Sequence, residues 1–290
     1  MKIITCENAD GTAIAFPAGP GGAFVLTDAT GVLEAKADVL TTQNALSDGV
    51  TWQGTRMQKR NIVLTLRDAP NADHDENRAA LYGLFKFKSA GTLTLSYGDS
   101  REDRCIGYVV ESVVADVKKR ANAYTVSLLC PSPYWESPNV LTRTLGGSRP
   151  LFTFPHAFAL EPVSRRDSAR AFTIDNAGAS DEIGMTITVR AANGTVRNVR
   201  ITHLETGEVL RLGSPANPMI LAPGASVTVT TGRGNKRVIG EEGESLAAYL
   251  TEDSEFLQIR RGRNTFSIAA DSGDSQLVVS FAWRLVYEGA

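Results

Sequence analysis

This 290-residue chain lacks a surplus of charge of either sign: 30 Lys and Arg face 32 Asp and Glu, a formal net charge of −2. A generic nucleic-acid binder carries a clear basic excess, so the balance argues against that class. Also missing is any run approaching the roughly 18 apolar residues of a membrane-spanning helix. Hydrophobic residues nevertheless make up 42% of the chain, too many for a disordered tail. Cysteine is scarce. Cys6, Cys105 and Cys130 are odd in number and far apart, which is not a disulfide framework and predicts folding in a reducing compartment. The opening residues MKIITCENADG have no apolar core of a secretory signal. Asn193-Gly194-Thr195 matches a glycosylation sequon, but without secretion it reads as a turn.

Groups that carry chemistry are equally sparse. The histidines are His74, His156 and His203, each in a different predicted element. No Cys-x-x-Cys or His-x3-His pair exists, which removes structural zinc. Gly232-Arg233-Gly234-Asn235-Lys236-Arg237 lacks the phosphate-loop pattern and reads as a hairpin turn. Gly243-Glu244-Ser245-Leu246-Ala247 loosely resembles a nucleophile elbow, which would make Ser245 a hydrolase nucleophile. Such an elbow needs a strand–turn–helix of an α/β sheet, and no βαβ alternation is present. Asp271-Ser272-Gly273-Asp274-Ser275 lacks the spacing and distal Glu of a calcium loop and reads as a turn. Asp73-His74-Asp75-Glu76 runs consecutively and so cannot share one helical face; it reads as a helix cap rather than a metal site. No catalytic residue, metal or cofactor is expected.

What the sequence does have is alternation. Ile62, Leu64 and Leu66 share a face by the period-2 rule, as do Leu93, Leu95 and Tyr97; Ile106, Tyr108 and Val110; and Tyr124, Val126 and Leu128. Lys118-Lys119-Arg120-Ala121-Asn122 lies between the last two as a polar hairpin connection. Residues 74–88 break the pattern. Leu81, Leu84, Phe85 and Lys88 fall at i, i+3, i+4 and i+7, with acids at the start and Lys86 and Lys88 at the end, predicting a helix. Cys130-Pro131-Ser132-Pro133-Tyr134-Trp135 closes the first region, since two prolines stop a regular strand.

An irregular crossover with Pro138, Gly146-Gly147, Pro150, Pro155 and Pro162 follows; it contains Leu151–Phe154, expected to start the second region. That region again reads as strands. Phe172–Ile174 ends at Asp175-Asn176-Ala177-Gly178; Met185, Ile187, Val189 and Ala191 alternate up to the hairpin signal Asn193-Gly194. Val199 and Ile201 lead to the turn Glu205–Glu208, from which Val209, Leu210 and Leu212 return. Val227–Thr230 is β-branched, and residues 243–253 suggest one helical turn. Leu277, Val279, Phe281, Trp283, Leu285 and Tyr287 form the longest alternating face, expected at the centre of a sandwich core. Two mostly β domains follow, residues 1–135 and 136–290. The first has seven lysines and the second only Lys236. Arg260-Arg261-Gly262-Arg263 is the most basic cluster; it reads as a turn, with a carboxylate or phosphate contact across a subunit interface as the sharper alternative.

In order and spacing, these stretches resemble the distal tail proteins of long-tailed phages with non-contractile tails. The resemblance is carried by Gly54 with Gln58–Leu64, by Asn77–Leu81, by Leu93–Tyr97 with Arg104 and Tyr108–Glu111, and by the Cys-Pro-x-Pro-Tyr-Trp ending at Cys130–Trp135. Phe172–Gly178 resembles the family's Asn-x-Gly strand end, and Ser254, Phe256, Leu257, Gly262 and Asn264 its Ser-x-Phe…Gly-x-Asn pattern. The resemblance implies a tail-tube-like N-terminal β-sandwich or barrel with one helix and a galectin-like C-terminal β-sandwich. It implies a non-enzymatic ring subunit, a homohexamer, joining the tail tube to the tail hub. The partners would be the tube, hub, tape-measure and receptor-binding proteins, in a virion tail assembled in the bacterial cytoplasm. DNA would pass through without specific binding, with no membrane partner. The alternative is a carbohydrate-binding β-sandwich for host recognition, although the aromatics Phe266, Phe281, Trp283 and Tyr287 fall at expected core positions. Tyr134, Trp135, Gly262, Asn264 and Trp283 are the expected structural anchors, Gly262 with a positive φ. Lys118, Lys119, Arg120, Arg260, Arg261 and Arg263 are the expected interface residues.

Overall fold

The computed structural model describes residues 3–17, 22–45, 48–70, 72–99, 101–116, 123–146, 148–150, 164–166, 170–176, 180 and 182–290. Lys118, Lys119, Arg120, the apolar stretch 151–154 and His156 lie outside them. The chain forms two compact units, residues 1–138 with 286–290, and residues 139–285.

The first unit is built on antiparallel pairing in the order Ala13–Pro17, Ile3–Asn8, Ala90–Ser96, Arg104–Asp116, Ala123–Cys130, Arg60–Asp68 and Phe24–Thr30. The alternating faces point inward: Ile62, Leu64, Leu66, Leu93, Val126 and Leu128 are fully buried. The two outermost strands curl toward each other, bringing the Phe16 and Phe24 rings within 6.0 Å; Phe85 at the helix end lies 6.4 Å from Phe16. The helix runs His74–Leu84, shorter than the periodicity predicts. Asp73 caps it by accepting from the backbone N–H of Asp75 and Glu76. Phe85 leaves the helical conformation, so Lys86 and Lys88 lie beyond the last turn.

The second unit is a pair of five-stranded antiparallel sheets. One has the order Leu141–Gly146, Leu277–Trp283, Met185–Ala191, Ser226–Gly232 and Asn235–Gly240. The other runs Ala171–Asn176, Gly262–Ser272, Val196–His203 and Val209–Leu212, with Ile220–Leu221 also on Val196–His203. Phe172, Phe266, Phe281 and Trp283 cluster between the sheets, Phe172 and Phe281 at 4.7 Å.

Three local expectations change. Asn193-Gly194 does not close a hairpin: the strands on either side belong to different sheets, so the turn is a crossover. Gln276 explains the turn, its side-chain carbonyl accepting from Asn193 N–H at 3.3 Å. The final alternating segment is two strands. Leu277–Trp283 ends in the second unit, while Val286–Tyr287 pairs with Trp135–Glu136 in the first. Periodicity cannot register a change of partner, because both strands keep one face inward. Tyr287 therefore packs in the first unit, half-buried under the Arg104 guanidinium at 3.7 Å. Finally, the crossover after Trp135 already contains the regular edge strand Leu141–Gly146.

Candidate assembly surfaces

One element of the first unit stands outside its main sheet. Ala37–Thr42 and Thr51–Met57 form a separate two-stranded ribbon. Its pairing sets Val39 opposite Thr55 and Leu40 opposite Gly54, with a bulge before Thr41. The Trp52 indole N–H donates to Thr55 Oγ1 at 3.0 Å. The ribbon exposes large apolar groups: Val39 is 60% exposed, Leu40 54% and Trp52 66%, flanked by exposed Leu33 and Val50. An isolated two-stranded hairpin is marginal in water, and clustered exposed apolar groups mark contact surfaces. Sequence reasoning took only Gly54 from this segment; Val39, Leu40, Val50 and Trp52 between turn residues were the available signal.

Arg60 holds the ribbon's root. The strand Arg60–Asp68 keeps strict alternation, so Arg60 and Asp68 point inward with Ile62, Leu64 and Leu66. The Arg60 guanidinium donates only to backbone carbonyls: Pro133 O from both Nε and Nη2, Gly31 O and Glu34 O from Nη1, and Glu288 O from Nη2. Burial pulls its pKa down from the usual guanidinium value. The Trp135 ring lies 5.8 Å beneath it. A cavity of about 230 Å³ opens at this root, lined by Lys36, Met57, Gln58, Lys59, Arg60 and Pro133 among others. At the far end of the strand Asp68 accepts from His74 Nδ1 and Asn77 Nδ2 at 2.6 Å each, and from Tyr124 OH at 3.1 Å.

The expected anchors occupy distinct settings. Trp135 is fully buried and Tyr134 half-buried; Trp283 is buried in the second unit. Gly262 has φ +85°. Asn264 is fully buried and threads the adjacent turn: its amide donates to Arg260 O and Gly262 O at 2.7 and 2.8 Å, and its carbonyl accepts from Arg260 N–H at 2.6 Å. With that amide group committed, His203 Nε2 must be the donor in its 3.0 Å bond to Asn264 Oδ1, leaving Nδ1 to accept from Thr206. Sequence reading missed His203 as part of this network. Ser254 Oγ accepts from Arg211 N–H and donates to Arg211 O, and Leu257 is fully buried. Ser254, Leu257, Gly262 and Asn264 of the pattern thus each have a structural task.

Carboxylates of the same unit meet two of the three arginines at this turn. Arg260 pairs with Glu208 at 2.5 Å and Glu182 at 3.5 Å, and Arg263 reaches Glu205 at 4.0 Å; Arg261 is exposed. Ser245 is exposed and bridges to Ile239, with no histidine in the described hydrogen bonds around it. The described residues hold no cluster of three or more His, Cys, Asp or Glu able to take a metal. No helix is long and apolar enough to cross a membrane among them.

Known structures share this architecture. The chain matches SPP1 Dit (gp 19.1), described as a paradigm of the hub adsorption apparatus in Gram-positive-infecting phages, with TM-score 0.65 and 12% identity over 97% of this chain and 99% of that one. It also matches chains of the phage P2 baseplate in its activated conformation, with Ca (TM-score 0.56) and with Sr (0.55), each at 10% identity over the full length of both chains. No family model and no curated protein matches the sequence. The chain therefore has the mostly β, two-domain fold of SPP1 Dit, with a single helix longer than one turn among the described residues.

Proposed function

We propose that the protein is a structural, non-enzymatic distal tail protein of a phage virion, whose copies close into a ring joining the tail tube to the baseplate hub. The carrying observation is that the likeness to SPP1 Dit spans both units, covering 97% of this chain and 99% of that one. A grafted module would align over one unit only. The exposed ribbon supplies the physical need for a neighbour, since Leu40 and Trp52 lose contact with water only when another chain covers them. A head-to-tail interface whose rotation closes gives a cyclic ring, and six copies is the number proposed. A net charge of −2 suits a conduit through which DNA passes without retention.

No observation favours the carbohydrate-binding reading: Phe266 and Phe281 are fully buried, and no aromatic side chain of the second unit stands exposed among the described residues. Native mass spectrometry of the purified chain tests the proposal. A closed hexamer is expected, visible as a ring by negative-stain microscopy. A strictly monomeric protein at tens of micromolar would overturn it.

A further inference from the structure

The ring reading leaves open which surfaces of neighbouring copies meet. A cyclic, head-to-tail interface needs two different complementary patches on each copy. The first unit carries two patches of opposite charge at the two ends of one strand.

At the Arg60 end lies the cavity at the ribbon's root. Lys36 and Lys59 line it, with Arg60 forming a wall. Among the described residues no carboxylate lies within ion-pair distance of these three cations, and Arg60 spends its donors on carbonyls, which cancel no charge. Glu34 is the only acid in the lining, and Glu111, bonded to the lining Asn61 at 2.7 Å, feels the Lys59 charge from outside it, so three positive charges face two negative ones. Met57 and Pro133 give the cavity an apolar floor on which a methylene stem can rest.

At the Asp68 end starts the helix His74–Leu84, with the acid run Asp73, Asp75 and Glu76 at its start. Asp73 is turned back to cap the helix, whereas the Asp75 side chain is 83% exposed, held by Arg78 at 2.8 Å. Glu76 is exposed and has no cation partner among the described residues. Arg60 and Asp68 are eight residues apart on an extended strand, about 27 Å at the usual rise. No side chain spans that distance, so a copy cannot fill its own cavity with its own acidic turn, but a neighbour can.

We propose that the cationic cavity at the ribbon root receives the Asp75–Glu76 turn of the adjacent copy, and that this contact sets the head-to-tail order of the ring. This rests on the ring reading. Glu76 enters the cavity between Lys36 and Lys59, and Asp75 stays at the rim with Arg78. Because Lys36 and Met57 belong to the ends of the ribbon, filling the cavity also fixes the ribbon's position on the neighbour.

Charge reversal tests it on the full-length chain, read by native mass spectrometry and light scattering. Lys36→Glu with Lys59→Glu should raise the concentration needed for assembly at least tenfold, and so should Asp75→Lys with Glu76→Lys. Mixing the two double variants should restore assembly, because each reversed patch then meets its complement. Melting curves matching the wild type would show that both variants fold. A wild type that assembles while the reversed variants assemble equally well overturns this contact alone. So does a mixture that stays dissociated. A wild type that stays monomeric overturns the ring reading and the contact with it.

Discussion

Arg60 donates to the single carbonyl of Pro133 through two nitrogens, Nε at 3.2 Å and Nη2 at 3.1 Å. The fork locks the Pro131–Pro133 bend, which breaks the strand ending at Cys130, onto the start of the neighbouring strand. The same guanidinium gathers Gly31 and Glu288, residues more than 250 positions apart in sequence, around one planar group. A planar five-donor fork can do this; an ammonium cannot.

Replacing Arg60 should therefore be costly. Arg60→Ala leaves buried carbonyls without donors, at about 1–3 kcal/mol for each group left unpaired. A loss of about 3 kcal/mol or more is expected from the urea midpoint of the purified chain. Arg60→Lys should recover less than half of it. A midpoint within about 0.5 kcal/mol of the wild type would show that the fork carries no stability.

The two tryptophans Trp283 and Trp52 should part company. Trp283 is 7% exposed among Phe172 and its neighbours, so Trp283→Ala should cost about 3–5 kcal/mol. Trp52 is 66% exposed, and Trp52→Ala should change the stability of the separated subunit by about 0.5 kcal/mol or less while weakening self-association. Thermal melts at low concentration beside sedimentation at high concentration separate the two effects.

Two glycines at positive φ make a graded pair. A Cβ at Gly262, φ +85°, meets nothing within 4 Å, so Gly262→Ala bears only the left-handed strain of about 1–2 kcal/mol. A Cβ at Gly273, φ +73°, would lie 2.0 Å from the Thr195 carbonyl oxygen. Gly273→Ala should cost about 3 kcal/mol or more, because strain and backbone overlap add. Equal melting temperatures for the two variants would contradict the geometry.

Asp99 supplies a pH test. The Arg101 side chain bonds its carboxylate, with help from the Arg101 backbone N–H, and pulls its pKa from 3.8 to about 2. The folded value lies below the unfolded one. Whatever this pair adds to stability is therefore complete above pH 3.8 and lost as the pH falls through about 2. A carboxyl NMR titration should show Asp99 ionised at pH 3, and Arg101→Ala should move its midpoint back toward 3.8. A wild-type midpoint near 3.8 would refute the pairing.

Much of the core was legible because burial follows a period. Ile62, Leu64 and Leu66 point inward as alternation dictates, and Asp73 caps the helix as its position before an amphipathic run requires. The same alternation, extended one step each way, already places Arg60 and Asp68 inside, a consequence easy to miss for charged residues. Partner choice was not legible. Asn193-Gly194 has a hairpin's composition, yet it connects two sheets, because local residues set the turn while long-range contacts select which strand comes next. The ribbon's exposed apolar residues were readable as letters but not as a surface, since exposure exists only once the rest of the sheet is closed.

The pairing of Val286 with Glu136 gives the chain an unusual order of synthesis and completion. Residues 139–285 form one compact unit, yet the strand that closes the first unit is made only after all of them. Until residues 139–285 have been made, the Trp135–Glu136 strand lacks its Val286–Tyr287 partner and Arg60 lacks the Glu288 carbonyl. In effect the second unit is a cassette spliced into the first, its two ends leaving from the paired residues Glu136 and Val286 of one ladder. Both ends of the inserted unit are thereby tethered at one point of the first unit, whose own strands pair without it.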